Sequence, residues 1–212
     1  MIHSILTFLK LKKNFVKNKR IYNAIKFLDN KNIKYMRIID MGARDCLVRK
    51  FIPENKDYLS IDINQNSENS IDLVKDASDI DFSFVNNEDI ILALDVLEHV
   101  DDIHSLLIKL IKSKAKSILI CLPNTANWKF RIHYLIFGKI PGVKFNIISK
   151  SKIFDRHRWL TPIDDCYSLL NLICNETNRS VYFYPVDRNF ERIRNPLFLT
   201  TIRSWAGFFL IK

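Results

Sequence analysis

The chain has 212 residues, 48% of them hydrophobic and 26% charged, which suits one large domain, or one domain with an extension, built around a real core. Its formal charge of +10 is unevenly placed: Asp40 to Asp102 holds 16 acidic and 5 basic residues, and the remainder holds 7 acidic and 28 basic. No apolar run approaches the ~20 residues that cross a bilayer, none of the four cysteines forms a C-x-x-C pair, and the histidines lack zinc spacing.

The opening residues Met1 to Leu6 have neither a charged leader nor a small-residue cleavage site, so no signal peptide is expected. Cys46, Cys121, Cys166 and Cys174 read as reduced packing residues, and a cytoplasmic protein is the expectation. The basic excess fits an anionic partner (phosphate, a membrane surface or nucleic acid) or an ordinary solvated surface. No recognised RNA-binding module accompanies it, so a nucleic-acid partner is not favoured. Oligomeric state is not legible.

Residues 1 to about 33 form an expected N-terminal helical extension. Ile2, Ile5, Leu6, Leu9, Phe15 and Val16 fall roughly on one face among lysines, and Ile21, Ala24, Ile25 and Leu28 continue an apolar stripe. Such a helix can dock its apolar side on the domain or lie, through residues 1–20, on an anionic membrane.

The centre of the sequence is the stretch from Arg37 to Asp62. Ile38-Ile39-Asp40-Met41-Gly42 predicts a strand and a tight turn, Asp45 to Phe51 a short helix, and Tyr58 to Ile63 a second strand. Glycine lets a turn approach a ligand closely, and an aspartate at the tip of the next strand can accept hydrogen bonds from ribose hydroxyls. The helix N-terminus should face the ligand. A third strand-like run, Ile71 to Val74, leads to Asp76 and Ala77. The fourth, Asp89 to Leu94, is nearly all apolar and ends on Asp95-Val96-Leu97-Glu98-His99-Val100.

A helix from Asp102 to Ser113 and a fifth strand, Ser117 to Leu122, follow. An aromatic, basic helix is expected at Trp128 to Phe137, and a lid-like insertion over 139–160. A helix from Pro162 to Asn175, a strand from Ser180 to Val186 and a last strand within Thr200 to Ile211 complete the chain. Strand and helix alternate for about 85 residues, and Asp40, Asp62, Asp76 and Asp95 each close a strand. Ligands of open α/β sheets bind at that edge.

The blocks Ile38-Ile39-Asp40-Met41-Gly42, Ser60-Ile61-Asp62-Ile63, Lys75-Asp76-Ala77 and Leu94 to Val100, with Leu122-Pro123-Asn124 and Asp155 to Trp159, resemble those of class I S-adenosylmethionine-dependent methyltransferases. The last strand-tip block resembles the ubiquinone/menaquinone-biosynthesis-like and methionine-biosynthesis-W-like branches. The resemblance covers about residues 36 to 212. It implies an α/β fold: a Rossmann-like, seven-stranded, mostly parallel sheet with helices on both faces and an antiparallel last strand, in a domain spanning 34–212. It implies S-adenosyl-L-methionine as cofactor, with Asp40 and Gly42 shaping the methionine turn, and Asp62 with Ile63 at the ribose. Asp76 with Ala77 would lie at the adenine, and Asp95 with Val96 beside the sulfonium. Arg44 is a further candidate for the cofactor's carboxylate. The sequence departs from the family at Ala43-Arg44-Asp45-Cys46, where further glycines usually stand.

An oxygen nucleophile needs a base, and His99, then His157, are the candidates. His99 also suits a structural cap on the following helix. Arg156 and Arg158 could bind a phosphate or carboxylate of the acceptor. A metal set from Glu98, His99, Asp101 and Asp102 lacks diagnostic spacing, and no metal is assigned. The expected activity is methyl transfer to oxygen on a small-molecule, saccharide or lipid-linked acceptor. The alternatives are an RNA-binding or RNA-modifying protein, and a non-catalytic protein of the same fold.

Overall fold

The computed structural model describes residues 19–140, 143–145, 156–186 and 204–212. Its strands are β1 Arg37–Met41, β2 Asp57–Asp62, β3 Leu73–Val74, β4 Asp89–Leu94, β5 Ser117–Pro123, β6 Val181–Pro185 and β7 Ala206–Ile211. They form one sheet in the order β3-β2-β1-β4-β5-β7-β6. Pairs from β3 to β5 are parallel, and β7 runs antiparallel to both β5 and β6. This is the expected Rossmann-like sheet, with its reversed last strand beside the fifth.

The α-helices of the described residues are α1 Lys19–Asn30, α2 Ile103–Lys112, α3 Trp128–Phe137 and α4 Ile163–Glu176. The period-2 alternation of each central strand supplies two apolar layers. Ile38, Ile90, Leu92 and Leu119 pack with Ala24, Phe27 and Leu28 of α1 on one face. Ile39, Ile91, Ile118 and Ile120 pack with Leu106 and Leu110 of α2 and Leu170 of α4 on the other. Strand order reverses between β1 and β4, which opens a crevice at the carboxyl edge of the sheet.

Helix ends are chemically marked. Asp102 caps α2 by accepting from Ser105 N, and Asn127 caps α3 by accepting from Lys129 N. Gly138 closes α3 in the left-handed region at φ 64°. The fit of α3 to the fold is unlike that of its neighbours, since none of its residues is buried.

The expected helix at Asp45 to Phe51 is replaced by one 3-10 turn, Leu47–Lys50. Arg44 and Cys46 both sit at φ 49°, and left-handed residues so close together prevent an α-helical start. The third strand is also shorter than its apolar run, because Asp72 bonds Ser60 N and Oγ with its side chain. The proposed lid at 139–160 falls largely outside the described residues, as do residues 1–18 of the expected N-terminal extension.

Candidate active site

A cavity of about 870 Å³ opens at the carboxyl edge of β1, β2 and β4. Asp40, Gly42, Arg44, Asp62, Ile63, Asp76, Ala77, Asp95 and Val96 border it, as do His99, His157 and Arg158. Arg156 does not border it. The strand-tip carboxylates therefore share one hollow.

The turn after β1 is built by backbone bonds. Gly42 N and Ala43 N both donate to Ile61 O, at 2.8 and 3.1 Å. Gly42 has φ 70°, and a Cβ there would lie 2.5 Å from Val96 Cγ2, so the position accepts no side chain without displacement. Arg44 N donates to Asp62 Oδ2 at 2.9 Å, and Asn64 N donates to Oδ1 at 3.1 Å. Two main-chain donors thus aim the Asp62 carboxylate at the cavity rim and leave lone pairs for a diol. Where the sequence predicted a helix dipole, the structure supplies this clamp.

Asp76 accepts from Ser78 N at 2.8 Å and holds the start of a short 3-10 turn, Ala77–Asp79. Asp40 is buried and accepts from the Tyr58 hydroxyl at 2.6 Å. Burial pushes its carboxyl up to about 7, against the lowering effect of that hydrogen bond. Burial and the neighbouring Asp40 push the Tyr58 phenol upward, so Tyr58 stays a donor. Asp95 stands at φ 57° and forms an ion pair with Arg20 of α1, a partner that sequence patterning did not indicate. Its Oδ1 is buried and meets no donor among the described residues.

On the far side of Asp95 lies a second group. Glu98, His99 and His157 offer ligand atoms within 4.8 Å of one another. The imidazoles meet edge to face at 4.8 Å between ring centres, and Phe145 packs on His157 at 4.6 Å. His99 Nδ1 lies 3.0 Å from the Arg156 carbonyl, which can only accept. Nδ1 therefore carries the proton, and Nε2 is the basic nitrogen. Nε2 lies 4.0 Å from Glu98 Oε1. Glu98 is only 1% exposed, and burial, then the adjacent Asp95, pushes its carboxyl up to about 8. Its Oε2 is buried with no donor among the described residues.

His157 reaches this group because its segment is laced to the turn after β4. Arg158 N donates to Glu98 O at 2.7 Å, Trp159 Nε1 to Val100 O at 2.7 Å, and Arg158 Nε pairs with Asp101 at 2.9 Å. Arg156 contributes its carbonyl to this lacing. Two imidazoles and a carboxylate are a ligand set for a divalent cation as well as a proton relay. The sequence named all three residues but not their meeting, because His157 lies 58 positions from His99 and no spacing links them.

No protein-family model matches the chain, and no curated protein sequence matches it. Solved structures do. The methyltransferase domain of the bacterial protein CtHen1 aligns over 92% of this chain and 98% of its own, with 14% identity and TM-score 0.57. A plantazolicin methyltransferase, BamL, solved with S-adenosylhomocysteine, aligns over 94% and 88%, with 13% identity and TM-score 0.57. An S-adenosylmethionine-dependent methyltransferase from Archaeoglobus fulgidus aligns over 94% and 99%, with 15% identity and TM-score 0.52. The fold is that of class I S-adenosylmethionine-dependent methyltransferases.

Proposed function

We propose that the chain is an S-adenosylmethionine-dependent methyltransferase directed at a hydroxyl oxygen, of the branch that its strand-tip motif resembles. The observation that carries this reading is the sharing of one cavity by the Gly42 turn, the Asp62 and Asp76 carboxylates and the Glu98/His99/His157 group. The residues suit the cofactor: an aspartate aimed by two N–H donors for ribose hydroxyls, a glycine bend that tolerates no Cβ, and a second aspartate for the adenine edge. When bound, the cofactor supplies an electrophilic methyl group on a sulfonium, open to in-line displacement.

The chain's own part is position and proton handling. Val96 and Asp95 border the space beside the turn. His99 Nε2 takes the proton of an acceptor hydroxyl, while the Arg156 carbonyl holds the ring in the required tautomer. The same three side chains can instead hold a divalent cation that lowers the hydroxyl's pKa. Turnover that survives a chelator would leave His99 as base. Turnover lost with chelator and restored by Mn²⁺ or Mg²⁺ would make the group a ligand set. The acceptor is proposed to be a small molecule, a saccharide or a lipid-linked precursor, with Arg158 at its entrance.

A second reading, an RNA hydroxyl as acceptor, is favoured by the basic remainder of the chain and by the likeness to a small RNA methyltransferase, HEN1, which aligns over 92% of this chain and 25% of its own, with 14% identity and TM-score 0.63. Gel-shift binding that falls steeply with salt is its signature. Incubating the protein with isotope-labelled S-adenosylmethionine and a cell extract, followed by mass analysis, tests both readings. A labelled ether or ester product supports oxygen transfer; no labelled product, with no heat on titrating the cofactor, supports a non-catalytic member instead.

A further inference from the structure

Helix α3 has an unusual surface. Leu135 is 85% exposed, Ile136 64%, Phe137 61%, Tyr134 58%, and Trp128 and Ile132 nearly half. A helix apolar around its circumference is normally buried in a core or in lipid. This one is capped at both ends, by Asn127 and Gly138, so it is a formed helix with no apolar layer over it among the described residues. It does not stand alone: Lys129 Nζ lies 5.6 Å from the Trp128 ring and 4.7 Å from the ring of Trp205, itself half-exposed.

The charges along this stretch of sequence have one sign. From Pro123 to Phe154 the sequence has no Asp or Glu, while Lys129, Arg131 and Lys139 stand on or beside the helix. We propose that α3, with Trp128 and Trp205 at its start, docks the protein on an anionic lipid bilayer. Ten residues reach about 15 Å, half of the ~30 Å hydrocarbon core, so the helix lies in the interface rather than crossing it. Tryptophan and tyrosine favour that depth, and the lysine and arginine stems reach past apolar neighbours to headgroup phosphates. A second copy of the chain fits less well, because a twofold pairing of α3 sets its cations against each other with no acid between them. A nucleic acid would use the cations and tryptophans and leave Leu135 and Ile136 without a role. Phe130 of the same helix borders the cavity, so docking sets the site beside the membrane.

The test needs no catalysis, so its failure is separable from that of the methyl-transfer reading. The full chain is floated with vesicles of phosphatidylcholine, with and without 30% phosphatidylglycerol, beside Leu135→Glu/Ile136→Glu. The expected result is flotation with the anionic vesicles and at least a tenfold smaller bound fraction for the double variant at unchanged melting temperature. All three tryptophans are Trp128, Trp159 and Trp205. Their emission in the unaltered chain should therefore shift to the blue and be quenched by brominated lipid, a readout that survives a variant that fails to fold. Unaltered protein that neither floats nor is quenched overturns the proposal. So does a folded double variant that floats as well as the parent, which would assign binding to basic residues elsewhere. A double variant that turns a dimer into a monomer, or loses RNA binding where no vesicle binding existed, overturns it in favour of that partner.

Discussion

The two halves of the cavity are assembled differently. The Gly42 side draws on neighbouring strand tips: Asp40, Gly42, Asp62 and Asp76 lie within 37 consecutive positions, main-chain N–H groups aim the Asp62 and Asp76 carboxylates, and the Tyr58 hydroxyl holds Asp40. The Glu98 side joins the end of β4 to a segment nearly 60 residues later, through three hydrogen bonds and an ion pair between 98–101 and 156–159. The first half is a property of the sheet, and damage to it should appear as lost ligand affinity. The second is a property of lacing, and damage to it should appear as lost turnover.

The sharpest break is expected on the Glu98 side. His99→Ala or Glu98→Gln should lower kcat by ~10²–10⁴, the range for a positioned acid or base, while titration calorimetry finds cofactor affinity unchanged. Turnover kept in both variants would remove this group from the chemistry. On the Gly42 side, Gly42→Ala should weaken cofactor binding and lower the melting temperature together. The left-handed backbone costs ~1–3 kcal/mol for a residue with Cβ, and the contact with Val96 adds to it. Asp62→Ala should weaken cofactor binding by ~1–3 kcal/mol with kcat at saturation retained. Equal loss of kcat would show that the halves are not separable.

A pH experiment sharpens the same comparison. Asp40 holds its proton up to about pH 7 in the folded state, above the ordinary carboxyl value of 3.8. The folded protein thus binds more protons than the unfolded chain between about pH 4 and 7. Its contribution is full below pH 4 and is lost as pH rises through 7. Asp40→Asn should flatten that decline in a series of denaturant melts. The smallest effect is expected for Trp159→Phe, which removes one hydrogen bond to the Val100 carbonyl, ~0.5–1.5 kcal/mol, and loosens His157 without touching the cofactor side.

The same contrast explains what could be read from the sequence. The strands were legible because buried parallel strands are continuous apolar runs, and β4 and α3 have the expected boundaries. The placement of Asp62 and Asp76 at the cavity was legible because a strand's end is itself a location in this fold. The segment after Gly42 was misread as helix, since no period reveals that Arg44 and Cys46 will adopt left-handed conformations. His157 was named, but its meeting with Glu98 and His99 was not readable, because backbone carbonyls that could belong to any residue guide it there. Arg20, paired with Asp95, gave no signal beyond being one lysine-like charge among many in a basic helix. The absence of burial along α3 was equally hidden, for seven of its ten residues are apolar or aromatic.

The central claim is that the strand-tip carboxylates and the Gly42 bend form one adenosine-shaped site. Titration calorimetry with S-adenosylmethionine addresses it without knowledge of the acceptor. The account predicts saturable one-to-one binding, weakened in Asp62→Ala and in Gly42→Ala and unchanged in His157→Ala. No heat with the unaltered protein, or an affinity indifferent to Asp62 and Gly42, would contradict it.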